Sequence, residues 1–363
     1  MLLLLFLLCS ALFVFWGTKK KSLLSNVSTM IGLTIPIILE TFRNVGTDTV
    51  TYQNLLFTNY GFTLKQLFSM SDVEPLNSIF YRLSGGNTRL YFFFFAVITI
   101  PVMYQALKYF SKGNSGYLSL SYFLYLMMFF PVSMNTMREY AALSVVVWAY
   151  QFAVKKEPAK YFGTIILASC LHVSALIALP VYFICRKRKD NPNWIAFIAM
   201  ASLLLLITFH FSSIFTNFSQ LNVQGVERYG TYATSTGNVT GNPIFFIYMV
   251  IYVVIFTFIR RMDIDSKTRN FIVILLILGL FGELTGFKSL YIKRIAVYFD
   301  IMQIILISRI PYTLNPKNQQ FILKVLLILF GIVYFLGLYG LLQKSQVLPY
   351  SMSIDANHLI HYF

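Results

Sequence analysis

Apolar runs of about the length of a membrane span follow one another along the chain, with short polar breaks between them. The predicted spans are 2–17, 27–42, 90–109, 116–136, 140–154, 194–215, 243–259, 270–287, 295–307 and 321–342. A helix crosses the hydrocarbon core of a bilayer with roughly 20 residues. The pattern therefore predicts an all-α polytopic membrane protein with about 10–12 transmembrane helices, folded as one integral membrane domain over residues 1–363.

Composition agrees with this prediction, because 57% of the 363 residues are hydrophobic and only 12% are charged. A soluble domain carries roughly 25% charged residues, so this chain could not cover itself with a polar surface. The net charge of +16 does not indicate nucleic-acid binding, since the lysines and arginines form short clusters at the ends of apolar runs. The positive-inside rule accounts for such clusters at the cytoplasmic face.

The basic residues also predict which side of the membrane each loop occupies. With the N-terminus outside, 19 of the 29 lysines and arginines lie on the inner side and the other 10 on the outer side, as the rule requires. The first apolar run lacks a preceding basic region and a small-residue cleavage site, so we expect it to be retained as a helix. The long outer loops are then 43–89 and 217–242.

The 25 residues between Lys160 and Arg186 do not fit a simple span, because basic clusters stand at both ends. One straight helix would place the cluster 186–189 on the outer side. A re-entrant hairpin, or two short tilted helices, would keep both clusters inside, with His172 and Ser174 near the turn. Irregular backbone inside a membrane is tolerated where protein buries it or where it lines a cavity.

The outer loop 43–89 is polar but carries apolar residues at helical spacing. Three pieces show this spacing: TVTYQNLLF at 49–57, LKQLF at 64–68 and PLNSIFYRL at 75–83. Such pieces are typical of amphipathic helices that lie at a membrane surface.

Charged residues gather at the predicted outer ends of the helices. They are Arg43, Asp48, Asp72, Glu74, Arg82, Arg89, Arg138, Glu139, Glu227, Arg228, Glu283, Lys288, Lys293, Arg294 and Asp300. Contact with solvent or lipid headgroups explains any one of them. As a set they include arginines on the outer side, where the positive-inside rule disfavours them. Arginine suits bidentate recognition of phosphate. They indicate an outward-facing site for a lipid-linked phosphate or pyrophosphate.

Arg138 and His172 each allow two interpretations. Arg138 begins a span at the outer side, where snorkelling to the headgroups competes with a functional role beside a helix N-terminus that attracts anions. His172 lies in an apolar run, where a packed, hydrogen-bonded histidine is common. An ionisable group in a membrane segment is also a functional candidate, as a general base or a hydrogen-bond donor.

Several kinds of site are not predicted. The sequence has no phosphate-binding P-loop and no dinucleotide-binding glycine pattern, and its histidines and cysteines lack metal-ligand spacing, so we expect neither cofactor nor metal. The tripeptide 263–265 reads DxD, but its short inner loop offers no domain for a nucleotide-sugar. The three cysteines lie in or beside apolar runs, and we expect them to be reduced.

Blocks of the chain resemble the EpsG family, in the same order along the sequence. FRNVGTDTVTYQNLLF at 42–57 resembles the family's R-x-x-GTDT-x-x-Y pattern, and the block 137–183 resembles its central region, which ends in H-x-S. The stretches KRIAVYFDIMQIILI at 293–307 and VLPYS at 347–351 are similar to its later part. Leu171 and Val173 depart from the aromatic and basic residues that often flank the family's histidine.

EpsG-like proteins are similar to the Wzy polymerases of exopolysaccharide, capsule and O-antigen pathways. The resemblance implies a glycosyltransferase that moves a growing glycan from undecaprenyl pyrophosphate onto a lipid-linked repeat unit, without nucleotide or metal. The reaction would take place at the outer face of the bacterial inner membrane. Implied partners are the undecaprenyl-pyrophosphate-linked oligosaccharide, the lipid bilayer, and a flippase and a chain-length regulator of the same pathway.

The implied reaction assigns roles to the charged residues. The predicted catalytic residues are Asp48, Arg138, His172 and Glu74, and the predicted substrate-binding residues are Arg43, Tyr52, Glu227, Arg228, Tyr229 and Arg294. The three arginines at 43, 138 and 294 would stabilise charge on the pyrophosphate leaving group. Asp48 would activate the acceptor hydroxyl, with Glu74 and His172 as substitutes, and the loop at 227–229 would hold sugars together with Tyr52.

Two other functions stay open on the sequence alone. A transporter of polysaccharide or lipid-linked oligosaccharide would also be polytopic, although such proteins often contain inverted repeats and none is visible here. A membrane acyltransferase would depend on His172 and has no second supporting motif.

Overall fold

The computed structural model describes residues 1–19, 22–59, 61–69, 74–184, 198, 202, 243–285 and 290–354. The α-helices are α1 (Leu2–Thr18), α2 (Leu23–Phe42), α3 (Thr49–Asn59), α4 (Leu64–Ser69), α5 (Pro75–Ser84), α6 (Thr88–Phe110), α7 (Ser115–Met128), α8 (Phe130–Ser133), α9 (Met137–Lys155), α10 (Pro158–Ser169), α11 (Val181–Ile184), α12 (Pro243–Phe258), α13 (Ser266–Thr285), α14 (Leu290–Asp300), α15 (Gln303–Ile307) and α16 (Lys317–Phe335). Short 3-10 segments and one π-helix, Leu336–Leu341, join them, and the described residues contain no β-strand.

This architecture confirms the predicted all-α polytopic membrane protein. Four of the described segments are long and apolar enough to cross a membrane: α2, α6, Ile244–Arg261 and Lys317–Leu341. The three amphipathic helices predicted in the outer loop are also present, as α3, α4 and α5. The predicted span 194–215 and the outer loop 217–242 lie outside the described residues, apart from two isolated positions.

Asparagine caps determine where two central helices begin. The Asn87 side chain accepts hydrogen bonds from the backbone N–H groups of Arg89 and Leu90, at 2.9 and 3.1 Å. Asn114 does the same for Gly116 and Tyr117 at the start of α7. These bonds satisfy N–H groups that have no partner within a helix.

Helices α7 and α9 form the centre of the bundle. Every residue of α7 from position 117 to 128 is buried, and α9 is buried along almost its whole length. Helices α6 and α10 pack on α9, whereas α1 and α16 pack on α7. A helix that is apolar on all sides and buried is typical of the core of a membrane bundle.

Two predicted spans are interrupted in the structure. The span predicted at 116–136 is divided into α7 and α8, because the chain bends at Phe129 and Pro131 follows. A proline has no N–H for the helical ladder and its ring clashes with the carbonyl four residues earlier. The span predicted at 295–307 is divided into α14 and α15 beside the buried Asp300, and α14 begins five residues earlier than predicted.

The section after Lys160 is a hairpin. Helix α10 ends at Ser169, His172 is extended, and a 3-10 helix, Val173–Ala178, leads back towards α11. The Tyr161 hydroxyl donates to the Ala178 carbonyl at 2.6 Å, and the Tyr182 ring lies 5.5 Å from that of Tyr161. The two arms therefore run side by side in opposite directions, as the flanking basic clusters predicted. The turn of this hairpin is near His172.

Basic side chains tie the helices together at one end of the bundle. Lys112 forms an ion pair with Asp265, Lys267 donates to the Val154 carbonyl, and Arg309 donates to the Phe110 carbonyl. Lys112, Lys267 and Arg309, all predicted to lie on the inner side, therefore share this end. The Arg138–Glu74 ion pair, whose residues belong to the predicted outer charges, lies at the start of α9 and therefore at the other end.

Asp265 belongs to the DxD tripeptide and has a structural role. Its carboxylate accepts a hydrogen bond from the Thr268 backbone N–H at 2.8 Å, which caps the start of α13, and it also accepts from Lys112. Partial burial raises the pKa of Asp265, but these hydrogen bonds outweigh it and lower the pKa to about 2. The carboxylate is therefore ionised at neutral pH and joins two loops.

A close contact between α13 and α14 at Gly279 gives a testable prediction. A Cβ added at this glycine would overlap the Asp300 carboxylate. Gly279→Ala is expected to destabilise the protein by about 1–3 kcal/mol, because the two helices must separate. Gly163→Ala is the matched control, since nothing lies within 4 Å of that position. Thermal unfolding of the detergent-purified variants measures the difference, and equal melting temperatures would contradict the packing described here.

Candidate functional site

A polar cavity of about 280 Å³ lies at the first turn of α9. Four separate parts of the chain line it: α3 with the turn before it, the start of α9, the turn of the hairpin, and α14. The lining residues are Asp48, Thr51, Tyr52, Leu55, Thr136, Arg138, Glu139, His172 and Arg294. Five of the predicted site residues, far apart in sequence, therefore share one cavity, which we call the polar cavity.

Arg138 is held in the wall of the polar cavity by Glu74. Its Nη1 lies 2.9 Å from Oε2 of Glu74, and the two side chains are 16% and 13% exposed. The guanidinium also lies over the Tyr52 ring, 5.9 Å from the centroid. Removing one partner of such an enclosed pair leaves the other without compensation. Glu74 itself does not line the cavity, so its position favours a role in holding Arg138.

Asp48 is fixed by the turn that precedes α3. The Asn135 side-chain oxygen accepts hydrogen bonds from the Asp48 backbone N–H and from the Thr47 hydroxyl, both at 2.9 Å. Gly46 has a φ of +101°, in the left-handed region that favours glycine. The chain can therefore leave α2 and present Asp48 towards the start of α9.

The C-terminal stretch 346–353, which we call the strap, anchors the same turn. The Gly46 and Asn44 N–H groups donate to the carbonyls of Gln346 and Ser351, at 3.2 and 2.9 Å. The Ser353 N–H donates to the Phe42 carbonyl at 2.9 Å. Two sequence motifs about 300 residues apart are thus paired through backbone hydrogen bonds.

His172 is oriented by a short chain of hydrogen bonds. Its Nδ1 lies 2.6 Å from the Ser174 hydroxyl, which lies 2.8 Å from the hydroxyl of Tyr298 on α14. The Tyr150 hydroxyl on α9 donates to the backbone carbonyl of Tyr298. The imidazole is therefore linked to the helices that carry Arg294 and Arg138, and its ring lines the polar cavity.

Arg43, a predicted substrate-binding residue, is not among the residues that line the polar cavity or the cavity beside it. This side chain is fully buried. Its guanidinium donates to the Glu40 carbonyl at 2.8 Å and lies 3.9 Å from the Phe92 ring centroid, while Arg89 donates to the Arg43 carbonyl. The end of α2 turns Arg43 into the bundle, where it supports the fold beneath the turn of Gly46.

A second cavity, of about 310 Å³, adjoins the polar cavity. The two share three lining residues: Thr136, Glu139 and Arg294. Polar side chains that line only the second cavity include Asn135, Tyr140, Tyr248, Glu283, Asp300 and Tyr334. Glu139, Glu283 and Asp300 belong to the outer charges noted in the sequence, but sequence alone gave no reason to choose them. We call the region around the three shared residues the junction.

Three predicted sugar-binding residues, Glu227, Arg228 and Tyr229, lie outside the described residues. Tyr52 lines the polar cavity but is 6% exposed, and its ring packs against Tyr91 and Phe92. It therefore shapes the wall of the cavity more than it offers a free surface.

The chemistry available at the polar cavity is that of an anion site with nearby proton acceptors. Arg138 and Arg294 supply positive charge, and the N-terminus of the 19-residue helix α9 adds the positive end of its dipole. Asp48, Glu139 and His172 supply groups that can take up a proton. In the described part of the chain, no three His, Cys, Asp or Glu side chains are grouped to hold a metal ion.

Substitution of Gly46 is predicted to disturb the site locally. A Cβ there would lie 3.2 Å from the Asn135 side-chain oxygen, and it would impose a φ that alanine disfavours. Gly46→Ala is expected to lower activity about 10-fold, equivalent to about 1.4 kcal/mol, by displacing the turn that holds Asp48.

The control for this prediction is Gly85→Ala. Gly85 also has a positive φ, +55°, but nothing lies within 4 Å of an added Cβ. Both variants place alanine at a positive φ, and only Gly46→Ala also crowds the site. Polymer synthesis in a complemented deletion strain measures the effect, and an equal loss in both variants would contradict the local explanation.

Comparison with known proteins agrees with the motifs in the chain. The sequence profile of the EpsG family matches residues 26–352, which are 327 of the 363 residues. No curated protein and no solved structure matches the chain. The profile suggests an exopolysaccharide polymerase-like protein, and the long apolar helices indicate an integral membrane protein. The chain therefore belongs to the EpsG family.

Proposed function

We propose that this protein is a polysaccharide polymerase of the bacterial inner membrane. It transfers a growing glycan from undecaprenyl pyrophosphate onto the next lipid-linked repeat unit, on the outer face of that membrane. The observation that carries the proposal is the meeting of Arg138, Arg294, Asp48 and His172 in one cavity at the start of α9. Family membership supports the same class of activity.

The charges of the cavity suit a pyrophosphate leaving group. The rate of glycosyl transfer depends on stabilising the charge that develops on the departing oxygen. Arginine can contact phosphate oxygens in a bidentate manner, and a helix N-terminus attracts the same oxygens. Arg138 and Arg294, beside the start of α9, supply both features.

The second cavity suits the sugars. It combines carboxylates, Glu283 and Asp300, with the aromatic side chains of Tyr248 and Tyr334. Carboxylates accept hydrogen bonds from the hydroxyl groups of sugars. Tyrosine rings offer an apolar face for the sugar ring and a hydroxyl that can form a hydrogen bond. A glycan carried on a pyrophosphate in the polar cavity could thus extend through the junction.

The proposed orientation depends on the two ends of the bundle. The end with Lys112, Lys155, Lys267 and Arg309 faces the cytoplasm by the positive-inside rule. The polar cavity lies at the opposite end and therefore faces outward. Lipid-linked repeat units reach it after a flippase has moved them across the membrane.

Glycan profiling of a strain that lacks the gene tests the proposal. A polymerase predicts that single repeat units persist on the lipid carrier or on their final acceptor, while long chains disappear. Loss of all repeat units from the surface would indicate a transporter instead. Normal chains with altered acetylation would indicate an acyltransferase, and either result would overturn the proposal.

A further inference from the structure

Glu139 occupies the junction and is the enclosed carboxylate common to both cavities. It lies in the first turn of α9 and is 6% exposed, yet it lines the polar cavity and the second cavity. Its carboxylate forms no hydrogen bond or ion pair with any described residue. Glu74, by contrast, is paired with Arg138, and Asp48 accepts from Thr47. The Glu139 carboxylate is thus an enclosed proton acceptor that lines the space of both cavities.

The surroundings of Glu139 act on its charge in opposite directions, and burial has the largest effect. Burial disfavours the carboxylate, while the charges of Arg294 and Arg138 and the N-terminus of α9 favour it. Asp48 is the other carboxylate whose charge acts on Glu139. This balance suits a group that must accept a proton and later release it.

We propose that Glu139 is the general base of the polymerase, which takes the proton of the attacking acceptor hydroxyl at the junction. The inference deepens the proposed function and depends on it. The acceptor oxygen forms a bond to the anomeric carbon of the donor sugar as its O–H bond breaks, and the proton moves to the Glu139 carboxylate. The bond from the anomeric carbon to the pyrophosphate oxygen breaks, and undecaprenyl pyrophosphate leaves with the electron pair.

The position of Glu139 explains why it suits this step better than Asp48. Asp48 lines only the polar cavity, where the leaving group lies, and its backbone and side chain are engaged with Asn135 and Thr47. With the pyrophosphate in the polar cavity and the sugars in the second cavity, the anomeric carbon between them lies at the junction, where the acceptor hydroxyl must approach it. Arg294, which also lines both cavities, supplies positive charge at the junction.

The test uses purified full-length protein in lipid nanodiscs, with lipid-linked repeat units extracted from the deletion strain. Glu139→Gln is expected to lower kcat by about 10²–10³-fold and to change KM less than 3-fold, because general-base catalysis contributes about 10²–10⁴. Glu139→Asp keeps the carboxylate and is expected to retain about a tenth of the wild-type kcat. Glu157→Gln is the matched control and is expected to leave kcat unchanged. Glu157 forms an ion pair with Lys160 and lines neither cavity.

The outcomes separate this inference from the proposed function. If wild-type protein lengthens no chains, the proposed function fails. If wild-type protein is active and Glu139→Gln keeps a kcat within 3-fold of it, the role of Glu139 fails while the polymerase stands. If Glu139→Gln aggregates, Glu139→Asp decides: a kcat equal to that of the wild type would overturn the inference. A raised KM with an unchanged kcat would also overturn the inference, because it would show that Glu139 contributes to substrate binding and not to proton transfer.

Discussion

Arg138→Ala is expected to abolish chain lengthening while single repeat units remain on the lipid carrier. The substitution removes a cation from the polar cavity and leaves Glu74 without its partner. Loss of one group that stabilises charge in the transition state typically lowers kcat by about 10²–10³-fold. Membrane insertion should be unaffected, because the helix that follows Arg138 keeps its apolar sequence.

Arg82→Ala is the matched control for Arg138. Arg82 also belongs to the predicted outer side, but it is exposed at the end of α5 and lines neither described cavity. Both variants are compared for protein amount in membranes and for glycan length on gels. Long chains at normal amounts in Arg138→Ala, with the protein present, would exclude the proposed role of this residue.

His172→Ala is expected to lower polymer synthesis about 10²-fold. The imidazole lies at the turn of the hairpin, and the carbonyl of Cys170, beside it, accepts a hydrogen bond from the Leu76 N–H. The hairpin turn therefore connects the outer helix α5 to the polar cavity. His172→Ala removes a hydrogen-bonding group from the cavity, and the expected loss of rate is typical for a side chain that transfers a proton in catalysis.

The hydrogen-bond chain from His172 offers a graded comparison. Ser174→Ala and Tyr298→Phe should each lower activity by less than His172→Ala, because they change the orientation of the ring and keep the ring itself. Combined with His172→Ala, neither should add a further loss, since residues acting through one group are not additive. Full additivity of the losses would show that the three side chains act independently.

The helices of the fold could be predicted because their causes are local. Apolar runs predicted α6 and the span that contains α7, amphipathic spacing predicted the outer helices α3 to α5, and the structure contains all five. Basic clusters at both ends of 161–185 predicted the hairpin, since a straight helix would have placed one cluster on the wrong side. These features require no knowledge of which helices touch.

The composition of the site could be predicted only in part, because its geometry depends on packing. Arg43 and Asp48 lie close together in the sequence, but the end of α2 buries the first beneath Phe92 and the turn at Gly46 directs the second to the cavity. Glu139 looked like one more charge at a helix end. Its importance follows from the meeting of two cavities, which involves α3, α9, α14 and the hairpin.

Reconstitution in liposomes is the strictest test of polymerase activity. Purified protein in liposomes receives only undecaprenyl-pyrophosphate-linked repeat units, in buffer with a chelator and without nucleotides. Glycans of two or more repeat units are expected to form on the lipid, and free undecaprenyl pyrophosphate is expected to be released in proportion to the bonds made. If the wild-type protein and the Glu157→Gln control are both folded and the repeat units nevertheless stay single, the protein is not a polymerase of this kind.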